Sequence, residues 1–131
     1  MNKVLICDDE PLLRQLMRVA LIGDYAFEEA ATVEESIERA ASFRPDVALI
    51  DVMMPGGSGL EIIRHIRREP ELKHTRCVVI SAFSGESDRR EATEAGAEAF
   101  VAKPFDPDEL SATVASLLGR QSPVRQRCGG G

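Results

Sequence analysis

Four apolar runs in this sequence each end on a side chain able to take part in ionic or proton chemistry. Lys3-Val-Leu-Ile-Cys7 runs into Asp8-Asp9-Glu10-Pro11, and Val47 to Ile50 delivers Asp51. Cys77-Val-Val-Ile80 ends at Ser81, and Ala99-Phe-Val-Ala102 ends at Lys103-Pro104. The unbroken run before Asp51 shows no polar alternation, so it reads as a strand buried on both faces, as in a parallel sheet. Parallel strands would bring the acid pair, the single acid, the hydroxyl and the amine to one carboxyl edge, where ligands and reacting groups collect. Carboxylates within about 5 Å of one another repel by roughly 3 kcal/mol per pair at an effective dielectric near 20. Such a cluster favours a divalent cation, and Mg²⁺ suits it because it takes oxygen ligands and keeps several waters.

The segments between these runs supply the helices that hold the edge in place. Pro11 to Gly23 carries Leu12, Leu13, Leu16, Met17, Ala20 and Leu21 at helical spacing, with Arg14, Gln15 and Arg18 on the other side. Tyr25 to Ala31 reads as a short second strand, and Glu28-Glu29 suits an edge position. Thr32-Val-Glu-Glu35 forms a capping box ahead of a helix to Phe43, and Ser58-Gly-Leu-Glu61 forms another ahead of Ile62, Ile63 and Ile66. Arg64, Arg67 and Arg68 read as solvated, and Pro70 to Arg76 as a loop. The helix over 87–95 has only Ala92 and Ala95 as apolar anchors and should pack loosely, with Gly96 closing it. Asp106-Pro-Asp-Glu109 opens a last helix with the stripe Leu110, Val114, Leu117 and Leu118. Strand and helix alternate five times, which predicts a parallel sheet covered by helices on both faces.

A chain of 131 residues, 44% hydrophobic and 29% charged, is one domain with an ordinary globular balance. Its net charge of −6 argues against direct nucleic-acid binding, which needs a basic face. No apolar run is long enough to span a bilayer, and a strand begins by Lys3 without a signal-peptide pattern, so a cytoplasmic location without membrane contact is expected. Cys7 and Cys77 lie in strands and read as buried thiols, whereas Cys128 lies in the tail. Neither His65 nor His74 has companions at metal-ligand spacing. The domain is expected over 1–119. Residues 120–131 are expected to be a disordered tail, the start of a linker or a cloning remnant.

Taken together, Asp8-Asp9, Asp51, Ser81 and Lys103-Pro104 resemble the signature of receiver domains of two-component response regulators, over residues 3 to 118. The resemblance implies an α/β flavodoxin-like fold, a doubly wound five-stranded parallel sheet of order 2-1-3-4-5 with five helices, an order for which a receiver is itself a standard example. It implies that Asp51 is the phosphoacceptor, supplied by a histidine kinase or a histidine phosphotransfer protein. Asp8, Asp9, Asp51 and the backbone carbonyl of Met53 would ligate Mg²⁺, Lys103 would contact the phosphoryl group, and Ser81 would hydrogen-bond to it. Ser81 and Phe100 match the switch positions, and Lys103-Pro104 matches a cis peptide site. Met53 and Phe83, each two residues past a site residue, would flank the path of hydrolytic water and slow self-dephosphorylation.

The resemblance implies a signalling face built from the fourth helix, fifth sheet strand and fifth helix, acting on a protein partner or a fused output domain, with phosphorylation-dependent homodimerisation as one mode. An aspartate-nucleophile phosphohydrolase is the alternative. That family places a second Asp two residues after the first, where this sequence has Met53. A flavin or nucleotide carrier would need a loop of free amides after the first strand, where this chain has Asp-Asp-Glu-Pro.

Overall fold

The computed structural model describes residues 1–119. The readings made for residues 120–131, Cys128 among them, fall outside the described residues.

Among the described residues, seven strands and five helices follow one another. The main sheet contains β1 (Asn2–Cys7), β2 (Tyr25–Ala30), β3 (Val47–Asp51), β6 (Arg76–Ser81) and β7 (Ala99–Ala102), in the order β2-β1-β3-β6-β7. Every pairing within it is parallel. Counting these five alone, the order is the expected 2-1-3-4-5. The other two strands, β4 (Met53–Met54) and β5 (Gly57–Ser58), form a small antiparallel hairpin where the sequence suggested only a turn.

Successive strand residues point to opposite faces, and each face has its own core. Leu5, Cys7, Ala48, Ile50, Cys77 and Val79 meet α2 (Val33–Phe43), α3 (Gly59–Arg68) and α4 (Glu86–Ala95). Val4, Ile6, Leu49, Val78 and Ile80 meet α1 (Pro11–Ala20) and α5 (Pro107–Leu117). Burial on both faces explains why these strands read as continuous apolar runs.

Several local expectations are corrected. In α1 only Met17, Ala20 and the adjoining Leu21 are buried, whereas Leu12 and Leu16 of the expected stripe point outward beside Val19 and Ile22. One helix presents a single stripe to a sheet, and α1 carries more apolar residues than that stripe holds. Ser58 caps α3 through Leu60 N at 3.1 Å, but Glu61 lies against Gly57 and does not complete the box. Arg67 is not simply solvated, because it donates to Gly96 O at 3.1 Å and pairs with Glu98 at 2.6 Å, tying α3 to the α4–β7 turn. Residues Pro70–Leu72 form a short 3-10 turn that buries Leu72. Thr75 is buried as well and donates to Pro45 O at 2.7 Å.

Candidate functional site

Each site residue reaches the sheet's carboxyl edge by its place in the strand register. Ile50 pairs with Cys7, Asp51 with Ile80, and Ser81 with Ala102. Asp8, Asp51, Ser81 and Lys103 therefore leave adjacent strands at nearly the same level. Asp8 stays in the ladder through its N–H to Ala30 O at 3.0 Å, and Lys103 N donates to Ser81 O at 2.9 Å.

The side chains converge. One carboxylate oxygen from each of Asp8, Asp9 and Asp51 lies within 4.8 Å of the others. Asp8 and Asp51 are buried and Asp9 is exposed. The ammonium of Lys103 bridges Asp8 Oδ2 at 3.1 Å and Asp51 Oδ2 at 3.2 Å. Burial pushes the Asp51 carboxyl above its usual range, Lys103 pulls it part of the way back, and Asp8 pushes it up again. Burial lowers the Lys103 ammonium, but Asp51 and Asp8 outweigh it and raise the group overall. Three carboxylates facing one ammonium leave a surplus of negative charge, so the donor set fits a hard divalent cation.

The flanking loops shape the cluster. Asp51 Oδ1 accepts the N–H of Met53 at 3.2 Å, which starts the hairpin. Gly59 opens α3 directly beneath, with its N–H on Val52 O at 2.8 Å. A Cβ on Gly59 would stand 2.0 Å from Asp51 O, so no other residue fits without moving the strand end. The Pro/Gly-rich stretch signalled a turn, but not this close approach. The Lys103–Pro104 peptide bond is cis.

On the other side of the cluster, Ser81 Oγ accepts the N–H of Phe83 at 3.1 Å, so its own hydrogen remains free for an acceptor in the site. Phe83 is 57% exposed and Met53 61% exposed. Phe100 is half-buried against the core and carries the guanidinium of Arg89 at 4.7 Å from its ring centre. The same Arg89 donates to Ser84 O at 3.2 Å, linking the loop after Ser81 to β7. Helix α4 buries only Ala92 and Ala95.

Two further features were not identified from sequence. Arg14 donates to the carbonyl of Asp8 at 2.7 Å, a contact only its position on the first turn of α1 hints at. An apolar groove of about 560 Å³, lined in part by Leu13, Leu16, Ile22, Pro104 and Phe105, opens beside Lys103.

Comparison with known proteins agrees with this fold. The family model described as "Response regulator receiver domain" matches residues 4–115. The transcriptional regulatory protein ResD of Bacillus subtilis is 38% identical over 92% of this chain and 50% of its own length. The KDP operon transcriptional regulatory protein KdpE of Escherichia coli is 38% identical over 93% of this chain and 53% of its own. The chain thus spans about half the length of the curated relatives it matches. Among solved structures, the chemotaxis response regulator CheY4 of Vibrio cholerae superposes with a TM-score of 0.83 at 30% identity, over 89% of this chain and 98% of that one.

Proposed function

Because the chain belongs to the response regulator receiver domain family of phosphorylation-activated signalling switches, we propose that Asp51 is the residue phosphorylated. The donor is a phosphohistidine on a histidine kinase or a histidine phosphotransfer protein. A carboxylate oxygen of Asp51 attacks the phosphorus, the donor's N–P bond breaks, and its electron pair returns to the imidazole. The observation that carries this reading is the convergence of Asp8, Asp9 and Asp51 with Lys103 in one partly buried cluster.

Asp8, Asp9 and Asp51, with the Met53 carbonyl, are the groups that would hold Mg²⁺. When bound, the ion supplies positive charge opposite the phosphoryl oxygens, the main help such a transfer needs. Lys103 already pairs with Asp51, and its ammonium stays within reach of a phosphoryl group attached there. The chain catalyses only its own phosphoryl transfer and hydrolysis. The groove beside Lys103 supports a docking role for the exposed apolar side of α1, since an exposed apolar patch next to a reacting group marks a protein contact.

Signal output follows from Ser81. Turning its hydroxyl toward the phosphoryl group strains the Ser81–Phe83 contact and draws in the 82–85 loop. The loop leads into α4, which has few anchors to resist movement. The face formed by α4, β7 and α5 then changes its fit for an output domain, a separate protein or a second copy. No helix among the described residues is long and apolar enough to cross a membrane. Hydrogen exchange with and without beryllofluoride and Mg²⁺ tests the switch. Protection should change across residues 82–105 in the wild type and stay constant in Asp51→Asn; an unchanged wild type would refute the assignment of this surface.

A further inference from the structure

Arg14 occupies an unusual place for a helix-surface arginine. Its side chain is only 16% exposed. Nη1 donates to the carbonyl oxygen of Asp8 at 2.7 Å, and Nε donates to Glu29 Oε1 at 2.6 Å. Glu29 is itself fixed from several sides. Its other carboxylate oxygen pairs with Arg18 at 2.7 Å, and its backbone carbonyl accepts from Arg39 at 2.6 Å. Burial raises the Glu29 carboxyl, but Arg18 and Arg14 more than offset this and hold it below its ordinary value. The edge strand thus presents a rigid anion that fixes the guanidinium, and the guanidinium fixes the end of β1.

The consequence falls on Asp9. Both oxygens of Asp8 have partners within the protein, Glu10 N at 2.9 Å and Lys103 Nζ at 3.1 Å. The Asp9 carboxylate is exposed and makes no hydrogen bond or ion pair among the described residues, although it lies in the acidic cluster. With no partner of its own, this side chain has only its backbone to place the Cα–Cβ bond from which its rotamers reach the cluster. A peptide unit is planar, so holding the Asp8 oxygen also holds the nitrogen and Cα of Asp9. We propose that Arg14 is a positioning residue for the cation site: by gripping the Asp8 carbonyl and Glu29 together, it holds the Asp8–Asp9 peptide in the orientation that presents Asp9 to the ion.

Glu29 has a second part in this arrangement. An arginine beside a cation site would repel the ion, and Glu29, which Arg14 shares with Arg18, offsets part of that charge. Lysine cannot replace Arg14, because one ammonium on a flexible stem does not reproduce the guanidinium fork. Arg18 is the internal comparison. It shares Glu29 and stacks on Phe27 at 5.0 Å, but among the described residues it makes no hydrogen bond to Asp8.

The proposal rests on the reading of Asp8, Asp9 and Asp51 as Mg²⁺ ligands, and calorimetric titration of the unphosphorylated protein with Mg²⁺ separates the two. Outer partners that orient metal ligands are typically worth 10- to 100-fold in affinity, so Arg14→Ala should weaken Mg²⁺ binding by about 10-fold or more. Arg14→Lys should weaken it too, while Arg18→Ala, which loosens Glu29 but leaves the grip on the Asp8 carbonyl, should weaken it less than Arg14→Ala. In acetyl phosphate labelling, the Mg²⁺ concentration for half-maximal rate should rise about 10-fold in Arg14→Ala, with the rate at saturating Mg²⁺ within about 2-fold of wild type. A purely structural brace would lower the melting temperature without that split. Should Arg14→Ala fail to fold, Glu29→Gln keeps the arginine but removes its anchor and must also weaken binding. Unchanged Mg²⁺ affinity in the folded Arg14 or Glu29 variants, alongside weakened binding in Asp9→Asn, overturns the positioning role. A wild type that binds no Mg²⁺ overturns the metal reading beneath it.

Discussion

The ammonium of Lys103 stands 3.2 Å from Asp51 Oδ2 while also reaching Asp8 at 3.1 Å, so one cation from the end of β7 holds together carboxylates from β3 and the end of β1. The side chain is 15% exposed, dry enough for the pairing to matter to folding as well as to chemistry.

Removing that charge should therefore cost stability in a way a metal ion can repair. Breaking a buried ion pair from one side leaves an uncompensated charge, and Lys103→Met should lose about 3 kcal/mol at neutral pH without divalent ions. Millimolar Mg²⁺ should restore most of it. Urea unfolding with and without Mg²⁺ reads this directly, and a variant as stable as wild type in metal-free buffer would contradict it.

The convergence of the candidate groups was legible because each apolar run stops at a carboxylate, a hydroxyl or an amine, and a parallel sheet turns such stops into a shared edge. The buried face of α1 was not. Leu12 and Leu16 share the helical period with Met17 and Ala20, and only the fit against β1 and α5 decides which of them the sheet covers. Arg67 and Arg14 looked like surface charges for a related reason. Their partners Glu98 and Glu29 lie on other elements, beyond what local spacing reports. The β4–β5 hairpin has two residues per strand, too few to show alternation.

Burial pushes the Cys77 thiol up to about 12, with Arg67 lowering and Glu98 raising it further. In the unfolded chain the thiol ionises near its ordinary value of about 8.5. A group raised on folding gives stability that is intact below the unfolded value and lost as pH rises toward the folded one. Above about pH 9 the unfolded state binds fewer protons, so this thiol alone should lower stability by about 1.4 kcal/mol per pH unit. Cys77→Val should show a shallower alkaline loss in urea unfolding; parallel slopes would show that Cys77 does not carry it.

Met53 and Phe83 are both apolar and more than half exposed. Any shield they form must assemble as the 82–85 loop draws in with Ser81. Neither side chain orients water by hydrogen bonding, and orientation is a large part of the barrier to hydrolysis. The Met53→Asn, Phe83→Glu double variant should lose phosphate at least about 10-fold faster than wild type once the donor is removed. Equal rates, or a slower variant, would mean that these side chains do not guard the bond.

The claim on which the rest depends is that Asp51 accepts the phosphoryl group, and mass spectrometry after incubation with acetyl phosphate and Mg²⁺ tests it most directly. The wild type should gain one base-labile phosphoryl group, located on Asp51, and Asp51→Asn should remain unlabelled. Labelling of the variant at the wild-type rate, or a wild-type phosphoryl group on any other residue, would contradict the account.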